Sequence, residues 1–318
     1  MQRVSIIGAG ETGELHIQSI QKSPNFKLIG LFDFDQAESL RLQKKYDIPV
    51  FQSIKETIEQ SEVVDIASEA NSHFDIAAQA LRKSCHVFID RPLSSSLPEA
   101  KKLVELAFEA NVKVQIGHME RFNPSFILAS EYINQPNYIE IRRMQTVENN
   151  SQHVVLDMMI QDIDIILSIA NSDIKKIQAR GHSLNSDNLV MVNANIVFDN
   201  GCVANLTSSK IAHEKSSSMH IFQEENSLFI DLTNNTVQQT SYDAKLGAKR
   251  THLLQNKKPY NALDKEFESF YKSIENNTTP DVSLMDGSRA LEVAFRILDR
   301  VAYWQDVKLD EQKLRFGF

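Results

Sequence analysis

The stretch VSIIGAGETG, residues 4–13, decides the fold. Its first four residues predict a strand, and three glycines then follow with the spacing G-x-G-x-x-G. Glycine at these positions permits a tight turn, close approach of a pyrophosphate and close packing of the next helix on the strand. The amides and dipole of that helix N-terminus favour phosphate. We therefore predict a dinucleotide-binding loop, the alternative being a tight turn alone, with these cofactor-binding residues: Gly8, Gly10, Glu11, Thr12 and Gly13.

An acidic residue follows at the distance that such loops require. Asp33 stands 20 residues after Gly13, at the end of a second predicted strand, residues 28–32. A carboxylate there can bind the ribose hydroxyls. The alternative is that Asp33 caps the next helix. The following residues, Phe34-Asp35-Gln36, include no Arg or Lys to bind a 2′-phosphate, so the sequence favours NAD over NADP, with Phe34 a further cofactor-binding residue.

The order of the predicted elements divides the chain into two domains. Up to Gly117, short apolar runs alternate with helical periodicity, which predicts βαβ units and a parallel sheet. Closely spaced strands follow, and Asp199-Asn200-Gly201 is typical of a hairpin turn. The predicted fold class is α/β: a dinucleotide-binding Rossmann domain over residues 1–120, and an α+β domain with a large, mainly antiparallel open sheet over 121–318.

Composition excludes several classes of partner. The 318-residue chain carries a net charge of −8 and gathers no basic runs, which argues against nucleic acid and anionic membrane surfaces. We find neither a signal peptide nor an apolar segment long enough to span a bilayer. Cys85 and Cys202 are expected to be reduced thiols in a cytoplasmic protein. No His, Asp or Cys spacing predicts a metal site.

Several motifs together carry a family resemblance. They are residues 8–13 with His16, and residues 71–74, 87–92, 117–124, 156–164 and 200–207. On these motifs the chain resembles, over nearly its whole length, the glucose–fructose oxidoreductase and inositol dehydrogenase family (Gfo/Idh/MocA). Residues 117–124 and 221–223 most resemble the bacterial UDP-N-acetylglucosamine 3-dehydrogenases within that family.

The resemblance implies a function and an assembly. The family transfers a hydride between a nicotinamide cofactor and a hydroxyl of a sugar, a cyclitol or a related compound. Its second domain often forms dimers or tetramers through the open sheet, so we expect a homodimer or homotetramer and a small sugar-type substrate. Ser68, Asn71 and His73 are expected beside the cofactor, although His73 is almost equally explained by packing at a helix start. Arg121 and Asn123 are expected to bind substrate.

Two departures from the family limit what chemistry is expected. The Glu-Lys-Pro motif, whose lysine binds the reacting oxygen, is Asp90-Arg91-Pro92 here, and the histidine of an Asp-x-x-x-His motif is Gln161. We retain Asp90 as cofactor-binding and Arg91 as binding cofactor and substrate. Arg stays protonated and Gln does not titrate, so neither serves as a general base. Arg91 can still stabilise a substrate oxygen or anchor an anion, unless it forms only a surface ion pair.

Asp157 is the best remaining titratable group. Asp157 and Gln161 lie four residues apart in a predicted helix, residues 157–170, so both can face one side and bind substrate. Equally, Asp157 can complement the helix dipole and Gln161 can be a solvated helix residue. We predict Arg91, Asp157 and Gln161 as the catalytic set of an NAD-dependent oxidoreductase. The alternative is an NAD-binding protein that has lost catalysis and acts as a sensor or assembly partner.

Overall fold

The computed structural model describes residues 1–146, 153–184, 189–243, 248–254 and 260–316. Its contacts form two compact units, Met1–Phe122 with Tyr260–Arg289, and Asn123–Pro259 with Ala290–Phe318. The predicted domains, 1–120 and 121–318, differ from these units because residues Tyr260–Arg289 return to the first one. Nothing in the spacing of the late helices indicates that return.

The regular elements follow the chain in this order. The described strands are β1 (Gln2–Ile7), β2 (Phe26–Phe32), β3 (Val63–Ile66), β4 (His86–Asp90), β5 (Val114–Gly117), β6 (Tyr138–Met144), β7 (Ile174–Ser183), β8 (Leu189–Phe198), β9 (Val203–Ser209), β10 (Ser216–Phe222), β11 (Asn226–Asp231), β12 (Thr236–Asp243) and β13 (Ala248–Leu254). The described α-helices are α1 (Glu11–Lys22), α2 (Gln36–Tyr46), α3 (Ile54–Gln60), α4 (Ala70–Arg82), α5 (Leu97–Ala110), α6 (Pro124–Ser130), α7 (Ile160–Ala170), α8 (Ala262–Glu275) and α9 (Leu284–Phe316). A 3₁₀ turn covers Met119–Phe122, and a π-helical turn covers Val154–Met159.

The first unit contains a parallel sheet of five strands in the order β2-β1-β3-β4-β5. Most residues of its central strands β1, β3 and β4 are buried, as expected for a parallel sheet covered on both faces. All four residues of β3 are buried, including Asp65. The strand order reverses between β1 and β3, which is where open sheets of this type bind ligands.

The second unit contains an eight-stranded sheet in the order β13-β12-β11-β10-β6-β9-β8-β7. The pair β6–β9 is parallel, and the other pairs are antiparallel. Burial alternates along β8, so one face of the sheet forms a core. The hairpin predicted at Asp199-Asn200-Gly201 joins β8 to β9, and Gly201 has the positive φ of 91° that favours glycine. The predicted fold class is thus confirmed.

One predicted helix is wrong in form. Residues 157–170 were expected to be a single α-helix, whereas the helix begins as the π-helical turn Val154–Met159 and continues as α7. Hydrogen bonds in a π-helix skip to the fifth residue, so the four-residue spacing of Asp157 and Gln161 does not correspond to one α-helical turn. Within the described residues, no helix is both long enough and apolar enough to cross a bilayer.

Candidate active site

The predicted cofactor-binding residues of the first unit follow the carboxyl ends of neighbouring parallel strands. Gly8 follows β1, Asp33 follows β2, Ser68 comes just after β3, and Arg91 follows β4. Carboxyl ends of parallel strands share one edge of a sheet, so the fold brings these positions together. Asp90 is the last residue of β4, and the remaining predicted residues lie in the same loops or in the first turns of the helices that follow: Gly10, Glu11, Thr12, Gly13, Phe34, Asn71 and His73.

The three glycines of the loop differ in the space that a Cβ atom would have. Gly8 has a φ of 120°, and a Cβ there would lie 2.4 Å from the Ala67 carbonyl carbon. A Cβ on Gly13 would lie 2.0 Å from the Gly8 oxygen, because α1 packs directly on the loop. A Cβ on Gly10 would meet nothing within 4 Å. Gly8 and Gly13 are therefore required by the protein itself, whereas Gly10 keeps a surface open.

That open surface fits a dinucleotide. Gly10 is the N-cap of α1, and no side chain caps the helix in this fully described unit. The first amides of a helix have no partner within the helix, so they are available to an anion. Gly8, Gly10, Glu11, Thr12 and Gly13 are the residues that would hold a pyrophosphate there.

Asp33 is fixed by backbone amides. Its Oδ2 accepts a hydrogen bond from the Ala9 amide at 2.5 Å, and its Oδ1 accepts one from the Asp35 amide at 2.7 Å. The helix cap considered for Asp33 is instead provided by Asp35, whose side chain accepts from the Ala37 amide. Phe34 is 68% exposed beside it, with its ring packed edgewise on Phe32.

Arg41 was not predicted as a site residue. It lies on α2, after the segment Phe34-Asp35-Gln36 on which the choice between NAD and NADP was based. Arg41 Nη2 lies 3.4 Å from the Ala9 carbonyl oxygen, and the guanidinium donates to Glu14 and Glu38, at 2.8 Å in each case. Hydrogen bonds from Lys45, then from Arg41 and Tyr46, lower the pKa of Glu14 to about 2. Arg41 is thus bound to carboxylates beside the glycine loop.

His73 joins the two turns that follow β3 and β4. Its Nδ1 lies 2.8 Å from the Pro92 carbonyl oxygen, and its Nε2 lies 2.9 Å from the Ser68 carbonyl oxygen. The Ser68 and Ser72 hydroxyls are 2.7 Å apart, while Asn71 is exposed at the start of α4. His73 therefore packs at a helix start and also orders the edge where a cofactor would bind.

Arg91 and Asp90 form a local ion pair at the end of β4. Arg91 Nη1 lies 3.4 Å from Asp90 Oδ1, and the Arg91 side chain is 28% exposed. A Cβ on Gly117, in the neighbouring strand β5, would lie 3.0 Å from that same oxygen. An ion pair with Asp90 is compatible with hydrogen bonding to a ligand.

The family motif residue His16 makes a buried ion pair. Its Nδ1 lies 2.9 Å from Asp65 Oδ2; both side chains are buried, and the His16 ring packs edgewise on Phe88 and Phe267. Burial lowers the pKa of His16, but the charge and hydrogen bond of Asp65 outweigh burial and raise it. The pair links α1 to β3. Helix α1 follows β1, and the strand order reverses between β1 and β3.

In the second unit, Asp157 helps to begin the helix that contains it. The His153 amide donates to Asp157 Oδ2, while His153 Nδ1 accepts from the amides of Val155 and Leu156, at 3.3 Å in each case. This is a capping box in which the acid stands one residue later than usual, and the π-helical turn accounts for the extra residue. Desolvation lowers the pKa of His153; Lys210 lowers it further, and Asp157 opposes both.

Gln161 is not the solvated helix residue considered above. It is 6% exposed, and its Oε1 is buried without a hydrogen-bond donor among the described residues. A buried acceptor without a donor costs about 1–3 kcal/mol. The amide oxygen of Gln161 is therefore suited to accept a hydrogen bond from a hydroxyl group.

Two buried basic residues lie near these side chains and were missed from the sequence. Arg143 on β6 binds Asp162 on α7 through Nη2–Oδ1 at 2.7 Å and through Nε at 3.1 Å to both carboxylate oxygens. Lys210 follows β9 and is only 6% exposed. The Arg143–Asp162 pair fixes α7, and hence Gln161, on the sheet.

The predicted substrate residues Arg121 and Asn123 fall in different units. Arg121 lies in the 3₁₀ turn, where its amide donates to the His118 carbonyl. Asn123 begins α6: its Oδ1 accepts from the Ser125 amide at 3.0 Å, and its Nδ2 donates to the Leu232 carbonyl at 3.1 Å. The Asn123 side chain thus connects α6 to the segment after β11. In the described part of the chain, no group of His, Cys, Asp and Glu side chains could hold a metal ion.

Comparisons with known proteins point to one family. Residues 2–118 match the Gfo/Idh/MocA "Oxidoreductase family, NAD-binding Rossmann fold". UDP-N-acetylglucosamine 3-dehydrogenase of Acidithiobacillus ferrooxidans is 28% identical over 242 residues, which cover 74% of this chain and 75% of that enzyme. Its solved structure aligns with a TM-score of 0.88 and 25% identity over 94% of this chain and 97% of that one.

Two further relatives extend the comparison. Myo-inositol 2-dehydrogenase of Thermotoga maritima is 23% identical over 339 residues, covering 97% of this chain and 99% of that enzyme. A levoglucosan dehydrogenase solved with NADH shares the fold, with a TM-score of 0.87 and 16% identity over 95% of this chain and 97% of that one. Over residues 2–118 this chain is therefore similar to the Gfo/Idh/MocA family of NAD-binding oxidoreductases, and its similarity to individual relatives extends over both units.

Proposed function

We propose that the protein is an NAD-dependent oxidoreductase that interconverts a secondary hydroxyl and a ketone on a sugar, sugar nucleotide or related polyol. The observation that carries the proposal is the common sheet edge of the glycine loop, Asp33 and Arg91. A nicotinamide dinucleotide bound there would accept or deliver a hydride. The substrate class is supported by the relatives, which are dehydrogenases of a UDP-amino sugar and of inositol.

The cofactor that we propose is NAD rather than NADP. The Asp33 carboxylate is tied to the Ala9 amide beside the glycine loop, where it favours hydroxyls and repels a 2′-phosphate. Arg41 is the nearest described candidate to bind such a phosphate, but its guanidinium is already bound to Glu14 and Glu38.

Three side chains have proposed roles in the reaction. Oxidation of a secondary alcohol releases a hydride and a proton, so the proton needs an acceptor other than Arg91 or Gln161. We assign that role to Asp157, directly or through water. Arg91 donates to the substrate oxygen and stabilises its negative charge, and the Gln161 oxygen accepts from a second hydroxyl. Arg121 and Asn123 are proposed to orient the substrate.

We also propose the assembly and the compartment. A homodimer or homotetramer would form through the exposed face of the eight-stranded sheet, where Met191, Phe222 and Phe229 are exposed. Such side chains are typical of association surfaces when they cluster. The compartment proposed is the cytoplasm, consistent with the unpaired cysteines. Burial raises the pKa of the Cys85 thiol, and that of Cys202 to about 11.

Nicotinamide turnover tests the proposal. Purified protein is assayed with NAD or NADH against UDP-amino sugars, their 3-keto products, sugar acids and inositols, while NADH binding is measured separately by fluorescence. We expect turnover with at least one substrate, and Asp157→Asn should reduce kcat by about a hundred- to ten-thousand-fold. The thermal midpoint of Asp157→Asn controls for its capping role.

The binding measurement separates two kinds of failure. NADH binding without turnover on any substrate would favour the sensor or assembly function and overturn the enzymatic one. Failure to bind either nicotinamide cofactor would overturn the cofactor site itself. Turnover that survives unchanged in Asp157→Asn would remove Asp157 from the reaction while leaving the enzymatic function in place.

A further inference from the structure

A basic pocket lies in the second unit, between the edge strand β7 and helix α9. Its volume is about 280 Å³, and the cationic side chains that line it are Lys175, Lys176, Arg296 and Arg300. The buried side chain of Ile177, the exposed ring of Tyr303 and the residue Gln178 also line it. No residue assigned to the cofactor or to proton transfer contributes to this pocket.

The local backbone explains why two consecutive lysines share the pocket. Ile174 pairs with Phe198 and Lys176 with Val197, so Lys175 is an extra residue in β7. Such a bulge changes the direction of a side chain that would otherwise point to the opposite face. Lysines and bulges on an edge strand also hinder pairing with other chains. That explanation does not extend to the two arginines on the helix.

The two arginines that line the pocket repel each other. Arg296 and Arg300 lie four residues apart on α9, a spacing at which like charges repel. Among the described residues, no ion pair joins any of the four cations to a carboxylate. Some basic residues elsewhere in the described chain do have an acidic partner, as Lys272 has Glu268 and Arg41 has Glu14. In a protein of net charge −8, a pocket whose described lining contains four cations and no acidic residue favours an anionic ligand.

We propose that this pocket binds a small molecule with two or more phosphate groups, such as a phosphorylated metabolite. One guanidinium group can donate two parallel hydrogen bonds to two oxygens of a phosphate. Four positive charges also balance a multiply charged anion better than they balance a single carboxylate. The volume is near the lower end of small-molecule sites, roughly 300 Å³, which fits a diphosphate rather than a whole dinucleotide.

Calorimetry with inorganic pyrophosphate tests the proposal on the full chain. Saturating NADH is present throughout, because the glycine loop is a second phosphate site. We expect saturable binding of one pyrophosphate per chain, weaker binding of orthophosphate, and loss of affinity as salt rises. Arg296→Gln with Arg300→Gln should weaken pyrophosphate binding about tenfold or more and leave NADH affinity unchanged.

A matched control removes the same charge elsewhere on the sheet. Lys249→Gln with Arg250→Gln takes two exposed cations from β13, the opposite edge strand, and should change pyrophosphate affinity by less than about twofold. An equal loss of pyrophosphate affinity in both double variants would show that the effect comes from overall charge, and would overturn the proposal that the pocket is the binding site. Absence of saturable binding in the wild type would overturn it too, as would unchanged binding in the arginine variant. None of these results bears on turnover.

Discussion

The Nδ1 atom of His16 lies 2.9 Å from Oδ2 of Asp65, so a basic and an acidic side chain meet inside the apolar core of the first unit. Breaking a buried ion pair by removing one partner typically costs about 3–5 kcal/mol. We expect Asp65→Asn to lower the free energy of unfolding by about that amount, measured by urea denaturation near pH 6. Glu105→Gln, which removes an exposed pair with Lys102, should leave the free energy of unfolding nearly unchanged, because solvent screens that pair.

The same pair predicts a pH dependence of known sign. The pKa of His16 is raised above 6.5 in the folded protein. The stabilisation is therefore complete below about pH 6.5, the unfolded value, and is lost as pH rises through the folded pKa. The difference in unfolding free energy between wild type and Asp65→Asn should therefore shrink as pH rises above about 6.5 and through the raised pKa of His16. A difference that grows over this range would contradict the charged pair.

The glycine loop predicts opposite outcomes for two alanine variants. Gly13→Ala places a Cβ 2.0 Å from the Gly8 oxygen and should destabilise the protein by about 1–3 kcal/mol. Gly10→Ala meets nothing within 4 Å and should keep the wild-type thermal midpoint. Its methyl group would occupy the surface proposed for the pyrophosphate, so NADH affinity should fall roughly tenfold or more. Unchanged NADH affinity in Gly10→Ala would place the cofactor elsewhere.

We expect substitution of His73 to lower both the stability of the protein and its affinity for the cofactor. His73→Ala removes the ring that lies within hydrogen-bond distance of the Ser68 and Pro92 carbonyl oxygens. We expect a loss of about 1–3 kcal/mol in unfolding free energy. NADH affinity should fall as well, because both turns lie at the edge proposed for the cofactor. His213→Ala, at an exposed position, is the control and should change neither quantity.

Asp33 predicts a change in cofactor preference. Asp33→Asn keeps an oxygen that can accept from the Ala9 amide but removes the negative charge. We expect weaker NAD binding and less repulsion of the 2′-phosphate, so that the ratio of NAD to NADP affinity narrows by roughly tenfold. Titration of both cofactors into wild type and variant measures that ratio. A wild type that binds NADP more tightly than NAD would instead implicate Arg41.

The features that could be predicted from the sequence are those determined by residues close together in the chain. The glycine loop and Asp33 follow from spacing, because strand, turn and helix are consecutive in the chain. The antiparallel sheet followed from closely spaced strands and a hairpin signal at Asp199-Asn200-Gly201. Arg41 was missed because it reaches the loop from a different helix. The return of residues Tyr260–Arg289 to the first unit depends on tertiary packing, which no local pattern encodes.

The second unit was harder to predict for a related reason. A π-helical turn has no simple sequence signature, so the common orientation of Asp157 and Gln161 was predicted from α-helical geometry, which does not apply to this turn. The buried pair of Arg143 and Asp162 joins a strand to a helix through residues 19 apart in sequence. Polarity alone would place both on the surface, and only the fold shows that each provides the other's partner.

The departures at Arg91 and Gln161 give the sharpest functional prediction. Asp157 is proposed as the proton acceptor, so a Lys-His pair would add a second acceptor to one that already works. We expect Arg91→Lys combined with Gln161→His to change kcat for alcohol oxidation by less than about tenfold, whereas a gain of about a hundred- to ten-thousand-fold over wild type would show that wild type lacks a general base. Steady-state nicotinamide reduction against the substrate panel measures kcat and KM separately.

The single variants show whether the two changes act together. Arg91→Lys alone retains an ion pair with Asp90 and should change kcat less than the double variant does. Gln161→His alone replaces a buried amide whose oxygen has no described donor, and should change KM as well because that oxygen is proposed to bind a hydroxyl. A double variant no faster than wild type, with unchanged NADH affinity and thermal midpoint, would show that Asp157 or another group already supplies the base. Alternatively, if wild type is inactive and the double variant is active, the pocket is intact and its proton transfer has been lost through these two residues.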